Sequence, residues 1–321
     1  MQAAYHNSYR EPDAVEIREI DVPAVGVDEV LIRVRAAGVN RGDTLAVAGL
    51  PYAARLAYGV RHPRRPIPGT DAAGVVEAVG SRVEDLTVGD AVFGWVAGAF
   101  ASHAAGPASR LRVKPAHLSF EQAAAIPTTA VAALQAVRDV GRIRPGHHVL
   151  VVGASGGVGS FAVQIAKALG ADVTGVASTR NVELVRSTGA DRVIDYTKDD
   201  FTDHRGCYDL VVDLVGGVAL RSAQRVVRPG GTYVVVGGGN ARSVTGMSRF
   251  AAALALSAVS RQRLRPLFAS PSGPDLDIVR TLVDEGRVLP VIDAVHDLRD
   301  APMALAHVAR GHTRGRVVLT V

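Results

Sequence analysis

Residues 148–161 read HVLVVGASGGVGSF, an apolar strand that runs into a cluster of glycines. Glycines at positions 153, 156 and 159 are spaced three residues apart, and an amphipathic helix begins among them and ends at Gly170. Glycine allows a tight turn and a close backbone approach to a diphosphate, which the free N–H groups and positive end of the helix would bind. The strand, turn, helix and next strand together predict a dinucleotide site. The alternative is a strand-to-helix turn without a ligand. The predicted cofactor contacts at this turn are Gly153, Ala154, Ser155, Gly156, Gly157, Val158 and Gly159.

The chain around this turn alternates strands with helices. Strands are predicted at 148–152, 172–177, 193–194, 210–214, 232–236 and 266–269, and helices at 156–169, 182–187 and 219–227. This alternation is typical of a parallel sheet covered by helices on both faces. We therefore assign residues 126–270 to a doubly wound Rossmann domain in an α/β protein.

The first 125 residues have a different pattern. The stretch 30–36 places four apolar side chains on one face and Arg33 and Arg35 on the other, which indicates a half-buried strand. Short strands of this kind, separated by Gly, Pro and Asp, predict a mostly β domain over residues 1–125. Beyond residue 270, helices near 276–284 and 301–309 and strands near 291–295 and 316–320 predict that residues 271–321 return to complete it.

The composition of the 321 residues, 48% hydrophobic and 21% charged, excludes a disordered or fibrous protein. The net charge of +5 comes mostly from scattered arginines, so a nucleic-acid partner is not predicted. Cys207 is the sole cysteine, which fits a reducing, cytoplasmic location.

Residues 1–10 lack the pattern of a signal peptide, and the apolar stretch 250–259 is shorter than the ~20 residues that span a bilayer. We expect a soluble protein without a membrane partner.

The end of the second strand of the alternating segment bears on cofactor choice. An NAD site usually has an acidic residue there, whereas this chain has Ser178, Arg180 and Asn181. A carboxylate ~4 Å from a phosphate would repel it by about 4 kcal/mol at an effective dielectric constant of 20. Its absence, with a hydroxyl donor and a planar cation in its place, predicts NADPH over NADH. The alternative is that Arg180 only caps a surface loop.

With these elements in place, the chain resembles the medium-chain dehydrogenase/reductase superfamily, in its zinc-free quinone oxidoreductase (zeta-crystallin-like) branch. The resemblance covers nearly the whole chain and implies a GroES-like catalytic domain, a Rossmann domain, a cleft between them and a homodimer. It rests on residues 36–43 (AAGVNRGD), 68–76 (PGTDAAGVV), 88–92 (VGDAV), 153–159, 191–196 (DRVIDY), 213–216 (DLVG) and 315–318 (GRVV).

Departures from the zinc-dependent relatives narrow the expected chemistry. Those enzymes have a cysteine ligand where this chain has Asn40 and a His-Glu pair where it has Thr70-Asp71. A catalytic zinc needs three Cys, His or carboxylate ligands, so no metal is expected. Without a Lewis acid, the easier acceptors are quinones or alkenes conjugated to a carbonyl, between which the sequence does not choose.

The resemblance also implies roles for single residues. Asn40 is expected beside the nicotinamide, where its amide would bond the acceptor oxygen or the ribose; the alternative is an asparagine that only closes a turn. Asp43 is expected to fix that loop more than to act as an acid. Tyr52 is either a donor in the pocket or an exposed loop residue. The remaining implied cofactor contacts are Tyr196 at the ribose phosphate, Val215 and Gly237 along the nicotinamide half, Arg316 near the diphosphate, and Thr129 or Thr128 at the nicotinamide.

The long connection 50–68, rich in aromatic and basic residues, is predicted to form a mobile lid that shapes acceptor entry. The function expected from all these features is an NADPH-dependent reductase of a quinone or enone. The alternative is a low-turnover NADPH-binding sensor or RNA-binding protein, which the basic charge and the lack of an obvious general acid keep open.

Overall fold

The computed structural model describes residues 1–237 and 244–321, and within them the chain forms two large sheets flanked by helices. The strands are β1 (Gln2–Tyr5), β2 (Glu16–Glu19), β3 (Glu29–Val39), β4 (Asp71–Val79), β5 (Ala91–Trp95), β6 (His103–Pro107), β7 (Leu111–Val113), β8 (His148–Val152), β9 (Asp172–Ala177), β10 (Arg192–Asp195), β11 (Tyr208–Asp213), β12 (Val227–Val235), β13 (Arg263–Pro266), β14 (Ile292–Asp297) and β15 (Arg316–Thr320). The helices are α1 (Arg41–Ala48), α2 (Arg55–Tyr58), α3 (Phe120–Ala124), α4 (Pro127–Leu134), α5 (Gly157–Ala168), α6 (Val182–Ser187), α7 (Leu220–Ala223), α8 (Ser248–Ala258), α9 (Gly273–Asp284) and α10 (Ala301–Arg310).

The first large sheet is parallel, in the order β10-β9-β8-β11-β12-β13. This is the strand order of the doubly wound dinucleotide-binding fold, so the predicted α/β class is confirmed. The order reverses between β8 and β11, and ligands of such folds bind beyond the carboxyl ends of the strands at that reversal. The glycine turn follows β8 and the segment 214–217 follows β11, which brings both to that position.

The second large sheet runs β14-β15-β3-β4-β5-β7, with β6 also pairing with β3. The last strand, β15, lies antiparallel to β3 with Val318 opposite Gly38. The chain end therefore returns to the N-terminal sheet. Helix α9 packs elsewhere, because Leu276 and Val279 share an apolar core with Leu134 and Phe161 of the parallel-sheet unit. The domain boundaries at residues 125 and 270 stay a prediction.

Three details differ from the sequence-based expectation. The last strand of the parallel sheet covers 263–266, earlier than the predicted 266–269, because buried Leu264 alternates there with exposed Arg263 and Arg265. The helix predicted over 219–227 ends early and β12 begins at Val227. The connection 50–68 contains one turn of 3₁₀ helix and helix α2. Among the described helices, none is both long and apolar enough to cross a bilayer.

Candidate active site

The glycine turn after β8 is shaped by close backbone contacts. Gly153 adopts φ 85°, and a Cβ at this residue would lie 2.7 Å from Cγ2 of Val215. A Cβ at Gly159 would lie 2.1 Å from the Gly153 carbonyl oxygen. Both positions therefore require glycine, one for the left-handed turn and one for the packing of α5 against it.

The middle of the turn is uncrowded among the described residues. A Cβ at Gly156 would there meet the Gly153 oxygen alone, at 3.5 Å, and α5 begins at the next residue. The first N–H groups of a helix have no intrahelical partner, so those of Gly157, Val158 and Gly159 are available to an anion. This cradle fits the diphosphate of a dinucleotide. Ala154 is buried beneath the turn, and Ser155 accepts a hydrogen bond at 3.0 Å from Nδ2 of Asn181.

The carboxyl ends of β9 and β10 form a second, exposed part of the site. Ser178 follows β9 and is half-buried, whereas Arg180 is exposed and, among the described residues, donates to the His312 carbonyl at 3.4 Å. Tyr196 follows β10 with 54% of its surface exposed. Because β9 and β10 are neighbours, these side chains lie at one edge of the sheet. Their arrangement can receive the adenosine ribose of a dinucleotide bound at the glycine turn.

One carboxylate lies close to this exposed edge. Asp195 ends β10, and its oxygens accept from the hydroxyls of Thr179 at 2.6 Å and Thr197 at 2.7 Å. These hydrogen bonds, above all that from Thr179, lower the pKa of Asp195 to about 2. The side chain is buried and its acceptor atoms are bonded within the protein. It therefore does not stand where the acidic residue of an NAD site would bind a ribose.

The other half of the site is a buried polar cluster at the ends of β3, β4 and β15, made of Asn40, Asp71, Thr128 and Arg316. The guanidinium of Arg316 donates to Asp71 Oδ2 at 3.2 Å and to Asn40 Oδ1 at 2.9 Å. Asn40 Nδ2 donates to the same Asp71 oxygen, at 3.1 Å. Asp71 is 0% exposed, Arg316 4% and Asn40 6%. The cluster is therefore shielded from water by the fold itself.

Thr128 completes the cluster from α4. Its hydroxyl donates to Asp71 Oδ1 at 2.5 Å and accepts from the Trp95 indole at 3.1 Å. Burial raises the pKa of Asp71, against the effects of the Arg316 guanidinium and the Thr128 hydroxyl. Burial lowers the pKa of Arg316, against the attraction of Asp71. Thr129 lies one residue further on, donates to the Ala125 carbonyl at 3.0 Å and contacts the glycine turn near Gly157.

Arg316 connects the two halves of the site. A Cβ at Gly157 would lie 2.9 Å from its Cδ, so its stem runs along the start of α5. Its charged end, however, turns away to Asp71. In this structure the guanidinium forms an ion pair with Asp71, because the buried carboxylate needs a cationic partner, and the contact of Arg316 with a diphosphate stays a prediction.

Asp43 fixes the loop that carries Asn40. Its Oδ2 accepts from the backbone N–H of Asn40 at 2.7 Å, at the start of α1. Burial raises the pKa of Asp43 to about 7, and the charge of Asp71 adds to this rise. The structure therefore gives Asp43 the loop-fixing contact expected from the sequence, and its carboxyl points at the backbone.

Val215 and Gly237 lie beside the glycine turn at the ends of β11 and β12. Asp213 holds this region: its Oδ1 accepts from the N–H groups of Val215 at 3.1 Å and Gly216 at 2.8 Å. Its Oδ2 accepts from Tyr233 at 2.8 Å and from Arg249 at 2.7 Å. The Gly237 N–H bonds the Asp213 carbonyl at 3.3 Å. Val215 is left exposed toward the turn.

Tyr52 lies apart from the buried cluster and is 50% exposed. Its ring packs under the guanidinium of Arg55, 5.2 Å from the ring centroid, and Arg55 also lies over Tyr9. The backbone N–H of Ala53 donates to the Val244 carbonyl at 2.8 Å, so this segment connects the two sheet units. The 50–68 segment therefore contacts the parallel-sheet unit, and its role as a mobile lid stays a prediction.

Sequence reasoning missed Asp71, Asp213 and Arg249 as parts of the site. Asp71 and Asp213 lie within the motifs at 68–76 and 213–216, so their presence was visible in the sequence, but their partners were not. The partners of Asp71 come from residues 40, 128 and 316, which only the fold brings together.

Comparison with known proteins agrees with this architecture. Residues 26–136 match the alcohol dehydrogenase GroES-like domain and residues 188–319 match the zinc-binding dehydrogenase family. The chloroplast envelope quinone oxidoreductase homolog of Arabidopsis thaliana is 31% identical, over 99% of this chain and 98% of its own length. The chain belongs to the medium-chain dehydrogenase/reductase superfamily.

Two further relatives support this membership. The NADPH-dependent alkenal/one oxidoreductase, chloroplastic, of Arabidopsis thaliana is 32% identical, over 99% of this chain and 79% of its own length. The quinone oxidoreductase from Coxiella burnetii has a solved structure that superposes with a TM-score of 0.88, at 27% identity, over 100% of this chain and 99% of its own. Members of this superfamily are oxidoreductases, and this chain is an enzyme of that class.

The matched family description includes zinc, but the residues of this superfamily member do not suit that ion. Asn40 offers a neutral amide, and both oxygens of Asp71 are bonded to other side chains. The Arg316 guanidinium inside the cluster would repel a divalent cation. Within residues 1–237 and 244–321, no three or more His, Cys, Asp or Glu side chains are grouped to hold a metal.

Proposed function

We propose that this protein is an NADPH-dependent, zinc-independent oxidoreductase that transfers hydride to a quinone or an α,β-unsaturated carbonyl compound. The observation that carries the proposal is the Arg316-Asp71-Asn40 cluster beside the glycine turn. A carboxylate neutralised by a guanidinium, together with the Asn40 amide bonded to both, takes the place of the metal ligands that zinc-dependent relatives have. Such a site polarises a carbonyl oxygen weakly, which suits acceptors that are already electron-poor.

The bound cofactor would supply the hydride, held by the N–H groups at the start of α5. The protein's own contribution is placement and a dry environment. Asn40 gives one amide hydrogen to Asp71, and in this proposal its second amide hydrogen is donated to the acceptor oxygen. The charge on that oxygen grows during reduction, so a fixed donor in a water-poor site stabilises the transition state more than the ground state.

We propose NADPH as the preferred cofactor because of the charges at the adenosine edge. Arg180 makes no ion pair within the described residues, and Asp195 is turned inward. A 2′-phosphate at this edge would therefore meet the exposed Arg180 guanidinium, while the Asp195 carboxylate is already bonded to Thr179 and Thr197. One relative is named as NADPH-dependent, in agreement with this choice.

The acceptor class is proposed from the chemistry of the cluster and from the relatives. One relative is named a quinone oxidoreductase homolog and another an alkenal/one oxidoreductase. Quinones and enones share a carbonyl conjugated to a carbon–carbon double bond. Hydride addition to either gives a delocalised oxyanion, a phenolate or an enolate, which one amide donor can stabilise.

We also propose a homodimer in a cytoplasmic location. Strand β13 is an end strand of the parallel sheet as described, and the adjoining helix α8 exposes Leu254 and Val259, with Val259 82% exposed. A second copy that pairs along β13 would cover both features. Light scattering on the purified protein and on Leu254→Glu tests this, because a buried glutamate would give monomers.

The test of function is acceptor-dependent oxidation of NADPH, followed by loss of the reduced-nicotinamide absorbance. A naphthoquinone and a linear enone should be reduced, and the matching saturated ketone should not. Activity should persist after exhaustive chelation, with zinc content measured on the same sample. Binding of NADPH without turnover of either acceptor would instead favour a nucleotide sensor and contradict the proposal.

A further inference from the structure

The Asn40 carboxamide is held between two groups of opposite charge. Its oxygen accepts from the Arg316 guanidinium at 2.9 Å, and its nitrogen donates to the Asp71 carboxylate at 3.1 Å. If the amide rotated by half a turn, its N–H groups would face a guanidinium and its oxygen would face a carboxylate. Both contacts would then pair like with like, so the two charges determine which end of the amide points where.

The two charged residues are themselves fixed from several directions. Arg316 also donates to the carbonyls of Ala125 at 3.1 Å and Val39 at 3.2 Å. Asp71 also accepts from the Thr128 hydroxyl. A Cβ at Gly38 would lie 2.6 Å from the guanidinium, so the backbone of β3 leaves room for it. The pair is therefore part of a rigid, satisfied network.

The pair contacts Asn40 directly from both ends of its carboxamide. Asp71 is 0% exposed, Arg316 4% and Asn40 6%. Within the described contacts, Arg316 gives four of its five N–H hydrogens to protein oxygens, and Asn40 gives one of its two amide hydrogens to Asp71. The effect of the pair that these contacts make testable is the orientation of the Asn40 amide.

We propose that Asp71 and Arg316 are positioning residues that orient the Asn40 carboxamide, so that its second N–H donates to the carbonyl oxygen of the acceptor. This inference rests on the proposed function and adds separate roles for the three residues. Asn40 is the catalytic donor, and the ion pair sets its direction. Buried ion pairs contribute little net stability compared with apolar residues of the same size. In this proposal the function of the pair is to orient the Asn40 amide.

The test is a double-mutant cycle of Asp71→Asn and Asn40→Ala, measured with the naphthoquinone acceptor. Asp71→Asn keeps the shape of residue 71 but presents an amide that does not discriminate between the two ends of Asn40. In the otherwise unchanged protein we expect kcat to fall by about 10- to 100-fold. For comparison, complete removal of one oxyanion donor lowers kcat by ~100-fold or more. In the Asn40→Ala background the same change should lower kcat less than about twofold, because no amide is left to orient.

Two further measurements separate positioning from loss of structure. The Kd of NADPH, from fluorescence titration, should change less than about twofold in Asp71→Asn, because Asp71 is fully buried and bonded to Arg316, Asn40 and Thr128. Asp275→Asn is the matched control. Asp275 is also buried and forms an ion pair with Arg138 at 2.7 Å, and its described partners do not include any residue of the cluster. It should lower the melting temperature while leaving kcat unchanged. If Asp71→Asn does not fold, Arg316→Lys, which keeps the charge but loses the forked contact, replaces it in the cycle.

The outcomes distinguish this inference from the proposed function. Equal losses of kcat in both backgrounds, or a parallel loss of NADPH affinity, would overturn the positioning role alone. Absence of acceptor turnover in the unmodified protein would overturn the proposed function and this inference with it. A loss of kcat confined to proteins that contain Asn40 would support both.

Discussion

The two ends of the proposed dinucleotide site are built in opposite ways. At its proposed adenosine end, Arg180 and Tyr196 are exposed side chains, and among the described residues Arg180 donates to the His312 carbonyl. At the other end, Asn40, Asp71 and Arg316 are buried and joined by hydrogen bonds from three strands. Cofactor choice can therefore change without disturbing the fold, whereas the reacting end is tied to stability. Replacements at the two ends should separate these effects.

The largest effect is expected from Arg316→Met, which leaves Asp71 buried without its cationic partner. Loss of one member of a buried ion pair costs about 3–5 kcal/mol, so the free energy of unfolding in urea should fall by that amount. Arg287→Met removes an exposed pair with Glu285 and should cost less than about 1 kcal/mol. Similar losses for the two variants would mean that the cluster is more hydrated than its burial indicates.

Two glycines of the turn allow the effect on stability to be compared with the effect on cofactor binding. Gly159→Ala would force its Cβ against the Gly153 carbonyl and should cost about 1–3 kcal/mol of stability. Gly156→Ala places its Cβ in open space and should leave the melting temperature nearly unchanged. It should nevertheless weaken NADPH binding by about tenfold or more, since the methyl group fills the space a diphosphate would use. Unchanged affinity in Gly156→Ala would contradict the cradle.

At the adenosine end, Arg180→Ala should weaken NADPH binding by about tenfold, because an exposed charge pair with a phosphate is worth about 1 kcal/mol or somewhat more. NADH affinity and melting temperature should not change, since Arg180 makes one weak hydrogen bond to the fold. Fluorescence titration with both nucleotides measures the ratio. Equal weakening for NADH and NADPH would show that Arg180 does not select the phosphate.

The last comparison concerns pH. The pKa of Asp43 is raised to about 7 in the folded chain from an ordinary value of 3.8, so the folded state holds this proton more tightly. Between about pH 4 and about pH 7 the unfolded chain releases the proton first, and the stability that Asp43 contributes falls as pH rises through that window. Thermal unfolding of Asp43→Asn across this range should show a flatter profile than the unmodified protein. Parallel profiles of the two proteins would mean that a group other than Asp43 causes the pH dependence of stability.

Prediction from the sequence succeeded where the signal is local. The glycine spacing in 153–159 and the alternating strands and helices identified the dinucleotide-binding unit, because turn geometry and hydrophobic periodicity depend on neighbouring residues. Strand β15 was predicted over the residues it occupies. The boundary at β13 was missed because two exposed arginines hide the alternation around Leu264. The position of Arg316 near the diphosphate was implied by the family resemblance alone, and its ion pair with Asp71 had no local signal in the sequence.

The sequence by itself determined the class of fold, the anion-binding turn and the absence of the usual metal ligands at positions 40 and 70. Only the tertiary structure decided what stands in their place. The partner of Asp71 is Arg316, which lies 245 positions away in the chain, and their pairing depends on β15 closing the sheet beside β3. Which buried charges pair depends on how whole strands pack together, and a local sequence pattern does not contain that information.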